Sequence, residues 1–262
     1  MLGKLLKYDL KWMLNKVMWI YYVVLIIVSI SIIIVENVHQ TIFLVIVDKI
    51  LVGVFISMCI STLITCFMRI WARFIQNLYK DESYLTHTLP VTKNELFNSK
   101  VISSIISVII SILVIIACVA FVYLNKSTFE ELRLMYDSLV QAYNGTVAVI
   151  FVIGLVLLIL LEMINAMMCG VFGIVVGHRS NDHKIIESII VGLGLYFLLS
   201  TITIIVLNVI STNLLDEVVN DGFPSINTIK VMGFTSLVLY IAYILFFYFK
   251  SKSLLNKGLN VD

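Results

Sequence analysis

Few residues in this sequence could do chemistry inside an apolar environment, and Glu162 is the most conspicuous of them. It stands near the middle of the apolar stretch Val147–Val176, and Asn165 follows it one turn later. An acidic residue at the centre of a bilayer costs roughly 2.5–3.5 kcal/mol on insertion scales, so it lines a pathway or pairs with a polar group of another helix. The sequence therefore predicts Glu162 and Asn165 as substrate-pathway residues and leaves a purely structural pairing open.

Histidine and cysteine stand where neither metal binding nor nucleophilic catalysis is expected. The histidines lie in loops or at the edges of apolar stretches: His39, His87, His178 and His183. The cysteines lie inside apolar stretches and form no metal-ligand spacing: Cys59, Cys66, Cys118 and Cys169. An intramembrane protease needs a membrane-depth metal site or a serine paired with histidine. We therefore expect no metal site and no catalytic residues.

The sequence also lacks the glycine-rich loop that cradles the phosphates of ATP. No G-x-x-x-x-G-K-[ST] motif occurs, so this chain is not expected to be an enzyme, and any ATP and Mg²⁺ would be bound by a separate subunit. The formal net charge of +2 is too small to indicate nucleic acid as a partner.

The elements that must position these residues are helices that cross a membrane. Of 262 residues, 61% are hydrophobic and 13% are charged, and the mean hydropathy is +1.06. A soluble domain carries about 25% charged residues, so an apolar surplus of this size must face lipid. The short segments of alternating polarity that a β-barrel requires do not occur. We therefore expect an all-α integral membrane protein.

Six apolar stretches are long enough to cross a hydrocarbon layer of about 30 Å. They are residues 17–35, 50–68, 101–124, 147–176, 185–210 and 231–249. The second span can begin earlier, because Thr41–Val47 is also apolar and only Asp48 and Lys49 interrupt it. We expect residues 1–262 to form a single six-helix transmembrane domain.

The positions of lysine and arginine predict that both termini are cytoplasmic. With the N-terminus inside, the cytoplasmic segments hold 14 of the 18 basic residues and the outer segments hold 4. The apolar run of 17–35 is too long for a cleavable signal peptide and lacks a small-residue cleavage site, so we expect it to be a retained span. The composition, rich in Ile, Lys and Asn, suggests an AT-rich bacterial genome and hence the bacterial plasma membrane.

Residues 1–16 predict an amphipathic interface helix that lies along the inner membrane surface. At 100° per residue, Lys4, Lys7 and Lys11 share one face, and leucines and Met13 share the other. Asp9 falls within the apolar face. Its carboxylate either reaches water at the interface or pairs with a basic residue of another element.

The segment 69–100 predicts a short cytoplasmic coupling helix between spans two and three. Pro90 ends any helix that precedes it, and Asp81 or Ser83 could cap a short helix that ends near Leu89. Exposed apolar side chains on such a helix indicate a docking surface. Thr92–Glu95 then has capping-box spacing, so a new helix should start near Lys93 and run into span three.

Two stretches of this sequence resemble a known family. The first is Asp81-Glu82-Ser83-Tyr84-Leu85-Thr86-His87-Thr88-Leu89-Pro90-Val91-Thr92, continuing through Leu96 to Ser99-Lys100, and it is similar to a stretch before the third span of ABC-2 type permeases of Firmicutes. The second, Lys7-Tyr8-Asp9-Leu10-Lys11, is similar to the interface helix of that family. The resemblance in layout covers the whole chain. Among members, the chain is most similar to permease subunits of small-peptide exporters, including those for phenol-soluble modulins and lantibiotics.

The resemblance implies the membrane-spanning permease subunit of an ATP-driven ABC exporter. Such a subunit moves a peptide or other amphipathic substrate out of the cytoplasm or the inner leaflet. The working unit would be a permease homodimer in membrane lipid, joined through spans one and five, with two copies of an ABC ATP-binding subunit. The residues that would contact the ATPase are Asp81, Glu82, Tyr84, Leu85, His87 and Leu89.

An ATP-independent membrane protein is the alternative. It would be a secondary carrier or the vitamin-binding component of an energy-coupling-factor transporter. Secondary carriers usually show several intramembrane charges or Gly/Pro-broken helices in matching halves, whereas this chain has one deep carboxylate and no visible repeat.

Overall fold

The computed structural model of the chain consists of long α-helices. It describes residues 2–38, 41–80, 82–83, 91–123, 130, 133–134, 136–138, 140–141, 145–180, 182–210 and 225–256. The helices within these ranges are α1 (Leu2–Met13), α2 (Lys16–Asn37), α3 (Ile42–Leu78), α4 (Lys93–Tyr123), α5 (Gly145–Gly177), α6 (Lys184–Ile210) and α7 (Ile226–Asn256). No strand occurs in the part of the chain so described.

The helices α2 to α7 match the six predicted spans and extend beyond most of them. All six are long and apolar enough to cross a membrane, so the prediction of six such helices is confirmed. The earlier start allowed for the second span is found, because α3 begins at Ile42. At 1.5 Å per residue, the 37 residues of α3 span roughly 55 Å. This length exceeds the hydrocarbon layer of about 30 Å, so one end of α3 projects beyond it.

The outer surface of these helices is apolar. Large side chains are exposed along them, including Ile27 (56%), Ile153 (63%), Val209 (68%) and Phe234 (71%). A soluble protein rarely exposes continuous apolar surface of this kind, whereas a helix that faces lipid requires it.

The chain divides into two compact units, Met1–Leu132 and Arg133–Asp262. The first contains α1 to α4, and the second contains α5 to α7. The predicted single six-helix domain stays a prediction.

In the first unit, α4 presents a column of small hydroxyl side chains to its neighbours. These side chains are all buried: Ser99, Ser103, Ser104, Ser107 and Ser111. Their small size lets neighbouring helices approach closely, and their hydroxyls must find acceptors in an apolar surrounding. Ser104 donates to the Lys100 carbonyl at 2.6 Å, and Ser111 shares a hydrogen bond of 2.8 Å with Tyr22 of α2. Farther along, Leu25, Phe55 and Cys118 form an apolar core.

In the second unit, α5 and α6 form a closely packed helical hairpin. A Cβ atom on Gly173 would lie 2.5 Å from the Ser188 carbonyl oxygen and 2.7 Å from the Gly192 backbone. A Cβ on Gly177 would likewise collide with the Ser188 backbone and hydroxyl. Glycine at these positions is therefore required by the approach of the two backbones. α7 packs on α5, where the Phe172 and Phe247 ring centroids are 5.2 Å apart.

Candidate functional site

The carboxylate of Asp9 is buried between three helices and carries a complete set of donors. Its side chain lies in α1, and the residue is 4% exposed. Arg73 Nε of α3 donates to Asp9 Oδ1 at 2.9 Å. Lys100 Nζ of α4 donates to the same oxygen at 3.3 Å, and Ser99 Oγ donates to Oδ2 at 2.9 Å. The sequence left open whether Asp9 reaches water or pairs with a basic residue of another element. In the structure, it pairs with Arg73 of α3 and Lys100 of α4.

Arg73 extends this arrangement beyond the end of α3. Its Nη1 donates to Glu82 Oε2 at 2.7 Å, while its Nε remains on Asp9. Asn77, one turn after Arg73, donates to the same Glu82 oxygen at 2.9 Å. We call the six residues Asp9, Arg73, Asn77, Glu82, Ser99 and Lys100 the Asp9 cluster. Its ion pairs and hydrogen bonds connect α1 with α3 and α4, and α3 with the start of the segment that follows it.

Within the Asp9 cluster, the surroundings of Glu82 favour the ionised form of its carboxyl. The hydrogen bond from Asn77, followed by the charge of Arg73, lowers the pKa of the Glu82 carboxyl below its ordinary value, against an opposing effect of partial burial. Two carboxylates face two cations, so the cluster is neutral as a whole. Buried charges require this kind of pairing, because an isolated one would be strongly destabilising.

Arg69 fixes the C-terminal end of α1 from the same face of α3. Its Nη2 donates to the Trp12 carbonyl at 2.7 Å, and its Nε donates to the Met13 carbonyl at 3.0 Å. A cation at this end also complements the helix dipole. The Trp12 ring lies against both arginines of α3, with guanidinium carbons 4.9 Å (Arg69) and 5.2 Å (Arg73) from its centroid.

The helix that carries Ser99 and Lys100 starts where the capping box predicts. The Thr92 backbone N–H donates to Glu95 Oε2 at 3.0 Å, and the Glu95 N–H donates to Thr92 Oγ1 at 3.2 Å. These reciprocal bonds satisfy two donors at the start of α4. With α4 beginning at Lys93, its second turn reaches α1.

The predicted ATPase-contact residues are described only in part. Glu82 belongs to the Asp9 cluster, whereas Asp81, Tyr84, Leu85, His87 and Leu89 lie outside the described residues. The predicted coupling helix therefore stays a prediction. Ser83, which follows Glu82, is 2% exposed, and its backbone N–H donates to the Lys80 carbonyl at 2.6 Å.

Glu162 forms a second polar centre in the middle of α5. Tyr196 of α6 donates its hydroxyl hydrogen to Glu162 Oε1 at 2.8 Å, and Tyr240 of α7 is a further hydroxyl neighbour. Asn165 is 1% exposed, and its Oδ1 lies 3.9 Å from Cys169 Sγ. The carboxylate thus has a polar partner on another helix, as one of the two sequence-based expectations required. A pathway role for Glu162 and Asn165 stays a prediction.

Several residues of these two centres, together with the neighbouring Arg69, were not predicted as site residues from the sequence. They are Arg69, Arg73, Asn77, Ser99, Lys100, Tyr196 and Tyr240. A signal for three of them exists, because Arg69, Arg73 and Asn77 recur every four residues and so share one face of a helix. Ser99 and Lys100 had no such signal, because their partner lies some ninety residues away in sequence.

The fold and its exposed apolar surface define the class of this protein. It is an all-helical, multi-pass membrane protein with six helices of membrane-spanning length in the described part of the chain. Comparison of the chain with protein-family models, with curated proteins and with solved structures finds no match.

Proposed function

We propose that this chain is the permease subunit of an ATP-driven exporter of peptides or other amphipathic molecules. The observation that carries this proposal is the Asp9 cluster. An exporter whose ATPase is a separate protein needs a firm mechanical connection between the docking segment and the spans. Arg73 supplies such a connection, because one guanidinium bonds both Asp9 in α1 and Glu82 at the start of the proposed docking segment.

The cluster also determines which helices would move together. α3 projects toward the docking segment and α4 leaves it, while α1 bonds to both. If the ATPase displaced residues 81–89, α1, α3 and α4 would therefore move together. The sequence resemblance to ABC-2 type permeases supports a permease that works with a separate ATPase. The lack of an ATP-binding motif in this chain agrees with that arrangement.

Two copies of the chain would form the transport pathway. Six spans are half of the usual twelve-helix permease core, and a homodimer restores the two-fold symmetry. The family resemblance assigns the contact to α2 and α6. We expect cysteine crosslinks between α2 of one copy and α6 of another in native membranes, and crosslinks confined to single chains would contradict the dimer.

Co-purification tests the proposed function. The tagged chain, expressed in its host, should retain a soluble ATP-binding protein. The double change Tyr84→Asp and Leu85→Asp should release that protein while the permease stays inserted in the membrane. The matched control is Tyr136→Asp with Leu134→Asp, since these side chains are 40% and 68% exposed on a segment predicted to lie outside. Undiminished binding in the first variant, or equal loss in the control, would contradict docking at residues 81–89.

The Glu162 centre is the observation that favours an ATP-independent carrier. A carboxylate with two tyrosine neighbours at mid-helix can bind a cation that a carrier would couple to transport. A carrier would move its substrate in liposomes under an ion gradient, without an ATPase. The proposed exporter requires the ATPase and ATP. Transport in liposomes that contain this chain alone would therefore favour the carrier over the exporter.

A further inference from the structure

One face of α1 carries an array of exposed lysines. Lys4, Lys7 and Lys11 recur at intervals of three and four residues, all are exposed, and they lie opposite the buried Asp9 and Met13. Lys16, the first residue of α2, is also exposed and continues the array across the turn between the helices.

The described residues provide no ion-pair partner for the positive charge of this face. Asp9 is the sole acidic residue before Glu36 in the sequence. Its carboxylate forms ion pairs with Arg73 and Lys100. The Asp9 cluster contains two carboxylates and two cations, so it has no excess negative charge that could balance the lysines of α1. Within the described part of the chain, no carboxylate forms an ion pair with the lysines of α1 or with Lys16.

The position of α1 brings this face to the membrane boundary. Only Leu14 and Asn15 separate α1 from α2, which is a helix of membrane-spanning length. Two aromatic side chains flank the lysines and are exposed, Tyr8 at 68% and Trp19 at 63%. Tyrosine and tryptophan in this position are typical of the headgroup level. Lysine stems lie along apolar surface while their ammonium groups reach the phosphates.

We propose that Lys4, Lys7, Lys11 and Lys16 form a binding surface for the headgroups of anionic phospholipids. The ammonium groups bind the phosphodiester oxygens, and Tyr8 and Trp19 contact the glycerol and upper acyl region. The Asp9 cluster holds α1 so that its lysine face stays turned toward the headgroups. This surface is independent of any ATPase or transported substrate.

Lipid binding to the purified full-length protein in neutral detergent micelles tests the surface. The probes are fluorescent phosphatidylglycerol and a phosphatidylcholine with the same acyl chains. We expect the wild-type chain to prefer phosphatidylglycerol, with an affinity that falls as salt rises. Each lysine near an anionic surface contributes about a fivefold factor. Lys4→Gln, Lys7→Gln and Lys11→Gln together should therefore weaken phosphatidylglycerol binding roughly 100-fold and leave phosphatidylcholine binding unchanged.

Two control variants keep the test specific. Replacing the same three lysines with arginine should retain the preference, because the charge is kept. Lys49→Gln, Lys93→Gln and Lys230→Gln together remove three charges from other exposed positions and should also retain it. The proposal is overturned if the α1 variant binds phosphatidylglycerol like the wild type, or if the control triple loses as much affinity. Wild-type binding that is insensitive to salt would overturn it as well, and so would displacement of the lipid by water-soluble glycerol phosphate at equal concentration.

Discussion

The change Asp9→Asn tests whether the Asp9 cluster holds α1 against α3 and α4. Asparagine keeps the shape of the side chain and one acceptor oxygen, but it removes the charge that faces Arg73 and Lys100. Lys100 is 1% exposed and Arg73 is 8% exposed, so water cannot replace the lost carboxylate without rearrangement. Breaking a buried ion pair from one side costs about 3–5 kcal/mol. We expect a loss of about 3 kcal/mol in the free energy of unfolding, because the retained oxygen still accepts one hydrogen bond.

Denaturant unfolding of the purified protein in detergent measures this loss. Tryptophan fluorescence is a suitable signal, because Trp12 of α1 lies against Arg69 and Arg73. Arg73 keeps its ion pair with Glu82 after the Asp9→Asn change, whereas Lys100 loses its ion pair. Adding Lys100→Met to Asp9→Asn removes this buried cation. The double variant should therefore recover at least about 1 kcal/mol relative to additive effects.

The matched control is Asp137→Asn. Its partner Arg133 lies 3.8 Å away, and the two side chains are 52% and 72% exposed. An exposed pair of this kind contributes at most about 0.5 kcal/mol. Equal effects of Asp9→Asn and Asp137→Asn would refute the reasoning that the Asp9 cluster is a buried structural connection.

Two further predictions concern the second unit. Glu162→Gln keeps an acceptor for Tyr196. If the chain is the proposed exporter and Glu162 lines its pathway, this change should leave expression and ATPase binding intact and reduce peptide export in a vesicle assay. Normal export would contradict the pathway role and leave the packing role. If Glu162 has a packing role, Glu162→Leu should lower the yield of folded protein in size-exclusion chromatography, because it removes the oxygen to which Tyr196 donates, at a cost of about 1 kcal/mol. Gly177→Ala should lower the stability of the fold by about 1–3 kcal/mol, because the added Cβ collides with Ser188. Gly154→Ala is the control: the space around its Cβ is open, so this change should be neutral or slightly stabilising. Equal changes in melting temperature in thermal-shift measurements would contradict the close approach of α5 and α6.

The sequence predicts the helices well because their signal is local. An apolar run of about twenty residues is recognisable without any knowledge of its neighbours. The start of α4 at Lys93 also follows from local chemistry, since Thr92 and Glu95 are three residues apart and cap each other. The projection of α3 as far as Leu78 was not predicted, because its last turns hold Arg69, Arg73 and Asn77 and so look like a solvated loop.

The sites were less predictable because their partners are distant in sequence. Asp9 stood out as a charge on an apolar face, which indicated that it needed a partner, but nothing identified Arg73 or Lys100. These partners lie 64 and 91 residues away, and only the packing of α1 on α3 and α4 brings them together. Glu162 stood out in the same way, whereas Tyr196 resembles any aromatic residue in an apolar helix until the α5–α6 hairpin forms.

The most direct test of the proposed permease function is a photocrosslink from the docking segment. A photoreactive amino acid placed at Leu85 of the full-length chain, in native membranes, should join the chain to a soluble protein that contains an ATP-binding loop. The same amino acid at Val209, near the opposite end of α6 from Lys184, should give no such product. Crosslinking to the ATP-binding protein from Leu85 alone is the result that we predict. Absence of any ATP-binding protein among the Leu85 products would contradict the proposal.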